Sequence, residues 1–577
     1  MRPSASRPAV LRWAVISSAA VVWACSASPT SEIRRMLAAE GETVPQEIDH
    51  RGPAVVMGQT GPARFVGPLF ETFRAEAAME TVRFADRFYR APASPGYDAV
   101  LDRIVAQLKE AGFGEDPRLE LTVLERPAES PAWTPIEGRL TLITGKTEKL
   151  LHAFDENNDR DRTMLPIHAP SASVEGRVAL SLAELEAGEV LVTDASARQV
   201  LERARTQGAA AIVSASLFPF NVDPSGRERH LDAIQFRELA PGTDMPVCQI
   251  SPRSHAAIKA AVEGGGEVKL RLAARVETEK RPLRTVCAVV KGAGRPEEAV
   301  AMSSHVQEPG ACDNATGLAG LLESARGLAG LLRGGVIPWP DRSLVFLWGD
   351  EVRQTEMWLS ETKLKTVAGI SSDMTGQSKE TGAIALLERH PDPGAVTTLP
   401  PDEHTPWGAF EVEDEWVKPN GLAIVARCAL ADVAVISGGW KTADHPWEGG
   451  SDHDVFIKLG VPAVLFWHFT DFTYHTSLDR LEFVDPQEMR RTGTALLATA
   501  LAVADPKPTD LDRYLQSLQR EQTVCENAAD AVDNQAVVEA WGRWCYGARM
   551  WLRTLCLGPG AEEPPAPGET GKDGEKK

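Results

Sequence analysis

A chain of 577 residues exceeds what one hydrophobic core organises, so two or three folded units are expected from an ordinary composition of 43% hydrophobic and 25% charged residues. Its 61 Lys and Arg against 81 Asp and Glu give a formal charge of −20, which repels phosphate backbones and excludes nucleic acid as a partner. The eight cysteines, at 25, 248, 287, 312, 428, 525, 545 and 556, show neither CxxC pairs nor zinc-finger spacing, so a disulfide scaffold is not indicated.

The N-terminal segment carries Arg2, Arg7 and Arg12, then an apolar run from Trp13 to Ala24 and small residues, the layout of a secretory signal. The run is short for a membrane span, and no second run approaches membrane length. "VWAC", ending at Cys25, is similar to a bacterial lipoprotein box, with a plain cleaved signal as the alternative; either way the protein is exported, to the periplasm, the outer membrane or the medium. A membrane connection is expected only through a lipid on Cys25. Export permits disulfides, and Cys525, Cys545 and Cys556 are the pairing candidates.

Residues 26 to 60 mix Pro, Gly, Ser and charge, and the end from 558 is of low complexity, so a tether and a tail are expected. Between them, "ETVRFADRFYR" and "GYDAVLDRIVAQLKEAGF" have helical periodicity and the second stops at Gly112. From about 165 to 275 short strands and turns alternate around the helical "ARQVLERARTQGA", which predicts a β-rich unit. From 284 apolar strands alternate with helices ("TVCAVVKG", "AVAMSSHV", "TGLAGLLESARGLAGLL", "SLVFLWGD", "VAGISSDM", "VPAVLFWHF"), and helices are expected near 353–363, 486–503 and 510–554. The fold class is therefore α/β, with a mixed, largely parallel central sheet flanked by helices and an inserted β-rich unit.

In such a sheet functional groups gather at the carboxyl ends of the strands. "AVAMSSHV" leads to His305, and the next loop supplies Asp313 just before a helix. "SLVFLWGDE" ends on Asp350 and Glu351, "VAGISSD" on Asp373, and "AVLFWHFTDFTYH" on Tyr474 and His475. Imidazoles and carboxylates from separate elements form a donor set suited to zinc or a similar divalent ion, and a shared carboxylate could join two ions.

The motifs "HVQEPGACDNATG", "FLWGDE", "ISSDMTG", "GGSDHDVFIKLGVPA" and "YHTSLDRLEFVD" resemble, in order and surroundings, those of the M28 family of zinc aminopeptidases. The β-rich insert looks like the protease-associated (PA) domain of some members. The resemblance implies a zinc-dependent exopeptidase fold at 281–505, begun within 61–164, interrupted by a PA-like unit at 165–280 and extended by helices at 506–557. It implies two zinc ions, one on His305 and Asp373, the other on Glu351 and His475, with Asp313 bridging. Asp350 stands where the family has its general base, and Tyr474 where a phenol supports the tetrahedral intermediate. The substrates implied are peptide or protein N-termini.

Two departures stand out: Gln307, followed by Glu308, occupies the place of an acid that orients the first imidazole, and Asp350 is one carbon shorter than the usual Glu. They leave open another M28-type reaction, such as a carboxypeptidase, an amidohydrolase or a glutaminyl cyclase, and a binding protein with a degenerate peptidase domain. Taken singly, the sites have plainer readings: Asp313 as a helix N-cap, Cys312 as packing, His445 and His468 as structural or surface groups. Ser451, Asp452 and His453 are adjacent and lack a G-x-S-x-G turn, so a pocket loop is expected rather than a Ser-His-Asp triad. "DENNDRDR" lacks the Gly and the terminal Glu of a calcium loop and is expected to be a solvated turn.

Overall fold

The computed structural model describes residues 59–221, 230–397 and 403–560. The signal segment with Cys25, the tether and nearly all of the tail lie outside them. Fifteen strands are formed among the described residues. In chain order they are β1 (Leu119–Pro127), β2 (Ala132–Thr144), β3 (Thr147–Phe154), β4 (Ala172–Ala179), β5 (Val190–Thr193), β6 (Ala211–Ser214), β7 (Val247–Gln249), β8 (Val268–Glu279), β9 (Pro282–Val290), β10 (Arg295–His305), β11 (Arg342–Gly349), β12 (Lys365–Ser372), β13 (Ile384–Glu388), β14 (Thr442–His445) and β15 (Ala463–Phe469).

They build two sheets, of order β1-β9-β11-β10-β12-β15-β13-β14 and β3-β2-β8-β4-β5-β6-β7. In the first, β11, β10, β12 and β15 run parallel, while β1 and β9 on one side and β13 beside β15 are antiparallel. The fold class is α/β, mixed and parallel at its centre. Apolar residues occupy both faces of the parallel strands, because both are covered. Val300 and Met302 of β10, with Leu344, Phe346 and Trp348 of β11, enter the larger core beside the helices Ala75–Ala85, Pro95–Glu110, Ala315–Arg333 and Pro486–Ala504. Their neighbours Ala299, Ala301, Val345 and Leu347 face the other way, against Trp358 of the helix Arg353–Glu361 and Phe456 of the helix His453–Lys458.

Local signals explain several boundaries. Ser94 caps the helix Pro95–Glu110 by accepting from the Tyr97 amide, Pro95 sits in the first turn where no amide is needed, and Gly112 turns the chain at φ +100 after its end. The stretch expected as helix over 510–554 is a pair, Leu511–Asp530 and Gln535–Leu557. Asp533 at φ +54 breaks it, and Asn534 caps the second helix by accepting from the Val537 amide.

The second sheet draws on more chain than the β-rich segment 165–280. β2 and β3 form a hairpin across Gly145, at φ +59, and β2 pairs with β8 along its whole length. The seven described cysteines are buried; Cys545 and Cys556 are free thiols, so the suggested disulfides among Cys525, Cys545 and Cys556 are not formed. No helix among the described residues is long and apolar enough to cross a membrane.

Candidate metal centre

The parallel strands deliver the candidate residues to one end of the sheet. His305 is the last residue of β10 and pairs in register with Gly349 of β11, which is followed by Asp350 and Glu351. Asp373 follows β12 and donates its amide to Phe466 O of β15 at 3.1 Å. Asp313 is held from both sides. Its amide and that of Cys312 donate to Asp479, at 2.9 and 2.6 Å. The next residue, Asn314, is the N-cap of the helix Ala315–Arg333: its Oδ1 accepts from the Gly317 and Met374 amides, and its Nδ2 donates to Ser304 Oγ and His305 O. The cap is thus Asn314, not Asp313, whose carboxylate remains available to the site. Gly317 is required here, since a Cβ would run into Asn314 Oδ1 and Ser372 O.

Each oxygen of Asp313 faces a different imidazole: Oδ1 lies 3.7 Å from His305 Nε2 and Oδ2 lies 3.0 Å from His475 Nε2. Around His305 Nε2 stand Asp373 Oδ1 at 3.1 Å and Glu351 Oε1 at 3.8 Å. Around His475 Nε2 stands Glu308 Oε2 at 2.9 Å. The residues therefore form two adjoining groups, His305–Asp313–Asp373 and Glu308–Asp313–His475. This differs from the pairing implied by resemblance, where Glu351 accompanied His475. Gln307 accepts from the Glu351 amide at 2.9 Å and donates to Glu351 Oε2 at 3.4 Å, so it steadies Glu351 rather than His305. Asp373 is steadied by Ser451, whose hydroxyl donates to Oδ2 at 2.9 Å.

His475 sits at φ +54, uncommon for a residue with a side chain, and the second sheet's segment holds it there. Gln235 Nε2 and the Phe236 amide both donate to His475 O, at 2.5 and 2.6 Å, and Asn221 donates to Tyr474 O at 2.9 Å. Tyr474 stacks on the His475 ring with centroids 3.9 Å apart. Asp350 is buried and pairs with Arg353 at 3.6 Å; burial pushes its carboxyl up to about 7.

The donor set fits divalent cations. Four carboxylates and two imidazoles crowd together, and the nearby Arg90 guanidinium is taken up by the carbonyls of Ala85, Val306 and Gly310. Burial pushes Glu308, Asp313 and Glu351 above the ordinary carboxylate range, with the Glu308 charge adding to the effect on Asp313. Burial opposes charge on His305 as well, but Asp373 and Glu351 outweigh it and raise its pKa; His305 in turn outweighs burial at Asp373 and lowers that pKa. Asp373 Oδ1 is buried without a hydrogen-bond donor although His305 Nε2 is 3.1 Å away. Such convergence without hydrogen-bond alignment is how ligand atoms face an ion, and a cation would relieve the carboxylate repulsion.

In a third group, Glu388, His445 and Glu448, the imidazole is fully engaged. His445 Nε2 accepts from Trp467 at 2.8 Å and Nδ1 lies 2.7 Å from Pro446 O, which leaves no lone pair for an ion. His468 is buried against Met374 O and Glu488. Ser451, Asp452 and His453 share no partner: Ser451 donates to Asp373, Asp452 takes the Val352 amide, Gln354 and Thr355, and His453 pairs with Glu388 at 2.7 Å, so no triad forms. Burial holds the Cys312 thiol neutral, well above its ordinary pKa. In "DENNDRDR", Asp155 is engaged by backbone amides, Asp161 by His152, and Asp159 by Arg162 and Arg480.

Residues 431–500, which carry Ser451, Tyr474, His475 and Asp479, match the model described as Peptidase family M28. A likeness of fold extends well beyond that segment. A peptidase M28 precursor from Shewanella amazonensis SB2B superposes with TM-score 0.51 at 18% identity, over 77% of this chain and 96% of that one. A zinc aminopeptidase from Bacillus subtilis superposes with TM-score 0.50 at 14% identity, over 74% and 94%. At these identities the likeness is one of fold. No curated protein matches the sequence. Asn314, Asp479 and Gln235 are neighbours of the site that the motifs did not single out, and Glu308 was named only as the acid beside Gln307; of the first three, only the Asn before "ATG", a capping residue at a helix start, carried a readable signal.

Proposed function

We propose that the protein is an exported aminopeptidase that hydrolyses N-terminal peptide bonds with two zinc ions. The observation that carries this reading is the placement of Asp313, one carboxylate with an oxygen toward each of two imidazoles from different elements. His305, Asp313, Glu351, Asp373 and His475 would hold the ions. When bound, such ions supply an acidified water and polarise the substrate carbonyl. Asp350 would take a proton and return it to the leaving amine, and the Tyr474 phenol would support the developing oxyanion. The match to a peptidase family and the zinc aminopeptidase of the same fold support the substrate class. Export, with or without a lipid on Cys25, rests on the basic and apolar N-terminal sequence.

The test is release of free amino acids from peptides by purified mature protein. We expect release from peptides with a free α-amine, loss on chelation, and recovery on adding zinc. Cleavage of N-blocked peptides alone, or release indifferent to chelator, would overturn the reading.

A further inference from the structure

Only seven residues separate His305 from Asp313, and within them the chain places Glu308 at φ +86, a conformation that side-chain-bearing residues rarely adopt. A residue held this way at a site signals a constraint beyond local backbone preference. Its effect is to bring Glu308 Oε2 to 2.9 Å from His475 Nε2, the nitrogen that also faces Asp313 Oδ2 at 3.0 Å. One imidazole N–H cannot serve two carboxylates well, whereas three ligand atoms facing one point suit an ion. Glu351 is turned elsewhere: its backbone amide donates to Gln307 at 2.9 Å, its Oε2 accepts from Gln307 Nε2 at 3.4 Å, and its Oε1 lies 3.8 Å from His305 Nε2.

We propose that Glu308 is the third protein ligand of the metal pocket at His475, and that Glu351 belongs to the pocket at His305. The assignment rests on the two-zinc reading and changes which acid serves which ion. Gln307 then has a defined part: where an acid would orient His305, it fixes Glu351 on the His305 side and leaves the second pocket to its neighbour.

Calorimetric titration of metal-stripped protein with Zn²⁺, with mass measured under native conditions, tests this without reference to activity. We expect the parent chain to bind two equivalents. Glu308→Gln and His475→Ala should each keep one tight equivalent and weaken the other by more than about 100-fold, beyond what loss of an indirect partner costs. The double variant should lose no more than either. Glu308→Gly, which suits the positive φ, should lose the same equivalent while the metal-free protein melts no lower than the parent, which separates ligation from folding. Two equivalents of parental affinity in Glu308→Gln, or the His475→Ala pattern in Glu351→Gln instead, would overturn the assignment alone. Fewer than two equivalents in the parent would overturn the two-zinc reading with it.

Discussion

Asp313 is the residue at which both groups of ligand atoms meet, and its identity matters at the level of single oxygens. Asp313→Asn keeps the shape but replaces one oxygen by an N–H donor that cannot ligate. We expect zinc affinity at both pockets to fall by more than about 100-fold, against the 10–100-fold typical of an indirect partner, with far-ultraviolet circular dichroism unchanged. Loss of one equivalent only would show that Asp313 serves a single ion. At this scale the sequence was legible in residue type and less so in pairing. His305 ends a strand, Asp313, Glu351, Asp373 and His475 follow strands, and the five converge in space. Whether Glu308 or Glu351 stands beside His475 depends on a side-chain direction set by one positive φ, and nothing in the letters "QEPG" encodes that choice.

Elements matter here as supports. The loop from β10 to the helix Ala315–Arg333 has no sheet partner, and the Asp479 carboxylate replaces one by receiving two consecutive amides. Asp479→Asn leaves one of those amides facing an N–H group. We expect a loss of about 1–3 kcal/mol in unfolding free energy together with weaker zinc binding; unchanged denaturant midpoint and zinc titration would contradict this. A second support lies at the far helices, where His390 packs near Trp544 of the helix Gln535–Leu557, with ring centroids 6.4 Å apart. Burial, helped by the neighbouring His453, lowers the His390 pKa to about 3. A folded pKa below the unfolded value means that the neutral ring favours the fold above about pH 6.5, and that this stability is lost as pH falls from there toward 3. His390→Gln should therefore lose about 2–3 kcal/mol less than the parent between pH 6.5 and 4.5 in urea unfolding. Parallel pH profiles would contradict the burial argument. The elements around the site were readable because strand, loop and helix alternate from 284 onward. The β2–β3 hairpin was not assigned to the second sheet, although "TGKT" at 144–147 is the kind of Gly-containing two-residue turn that marks one.

Across the whole molecule, the two sheets meet at the candidate metal centre through a charged cluster that no local pattern announces. Arg162, on the segment after β3, pairs with Asp86 at 2.9 Å and donates to Pro309 O beside Glu308. Arg480, five residues beyond His475, reaches Asp86 at 3.2 Å and Asp159 at 2.9 Å. Arg162→Ala leaves Asp86 buried with one partner fewer, and we expect about 3–5 kcal/mol of destabilisation with weakened zinc binding; a change in neither would contradict the linkage. The pairs join residues more than 70 positions apart, up to 394 in the case of Asp86 and Arg480, which is why periodicity and motif spacing could not reveal them. The same distance in sequence explains why Gln235 and Phe236, in a β-rich unit that looked separate, carry hydrogen bonds to the carbonyl of His475. The most direct test of the central claim is metal content of the purified mature protein, stripped and reloaded with Zn²⁺, read by mass under native conditions for the parent and for Asp313→Asn. We predict two zinc ions per chain in the parent and loss of both in the variant. A parent that takes up none or one would contradict a two-metal centre.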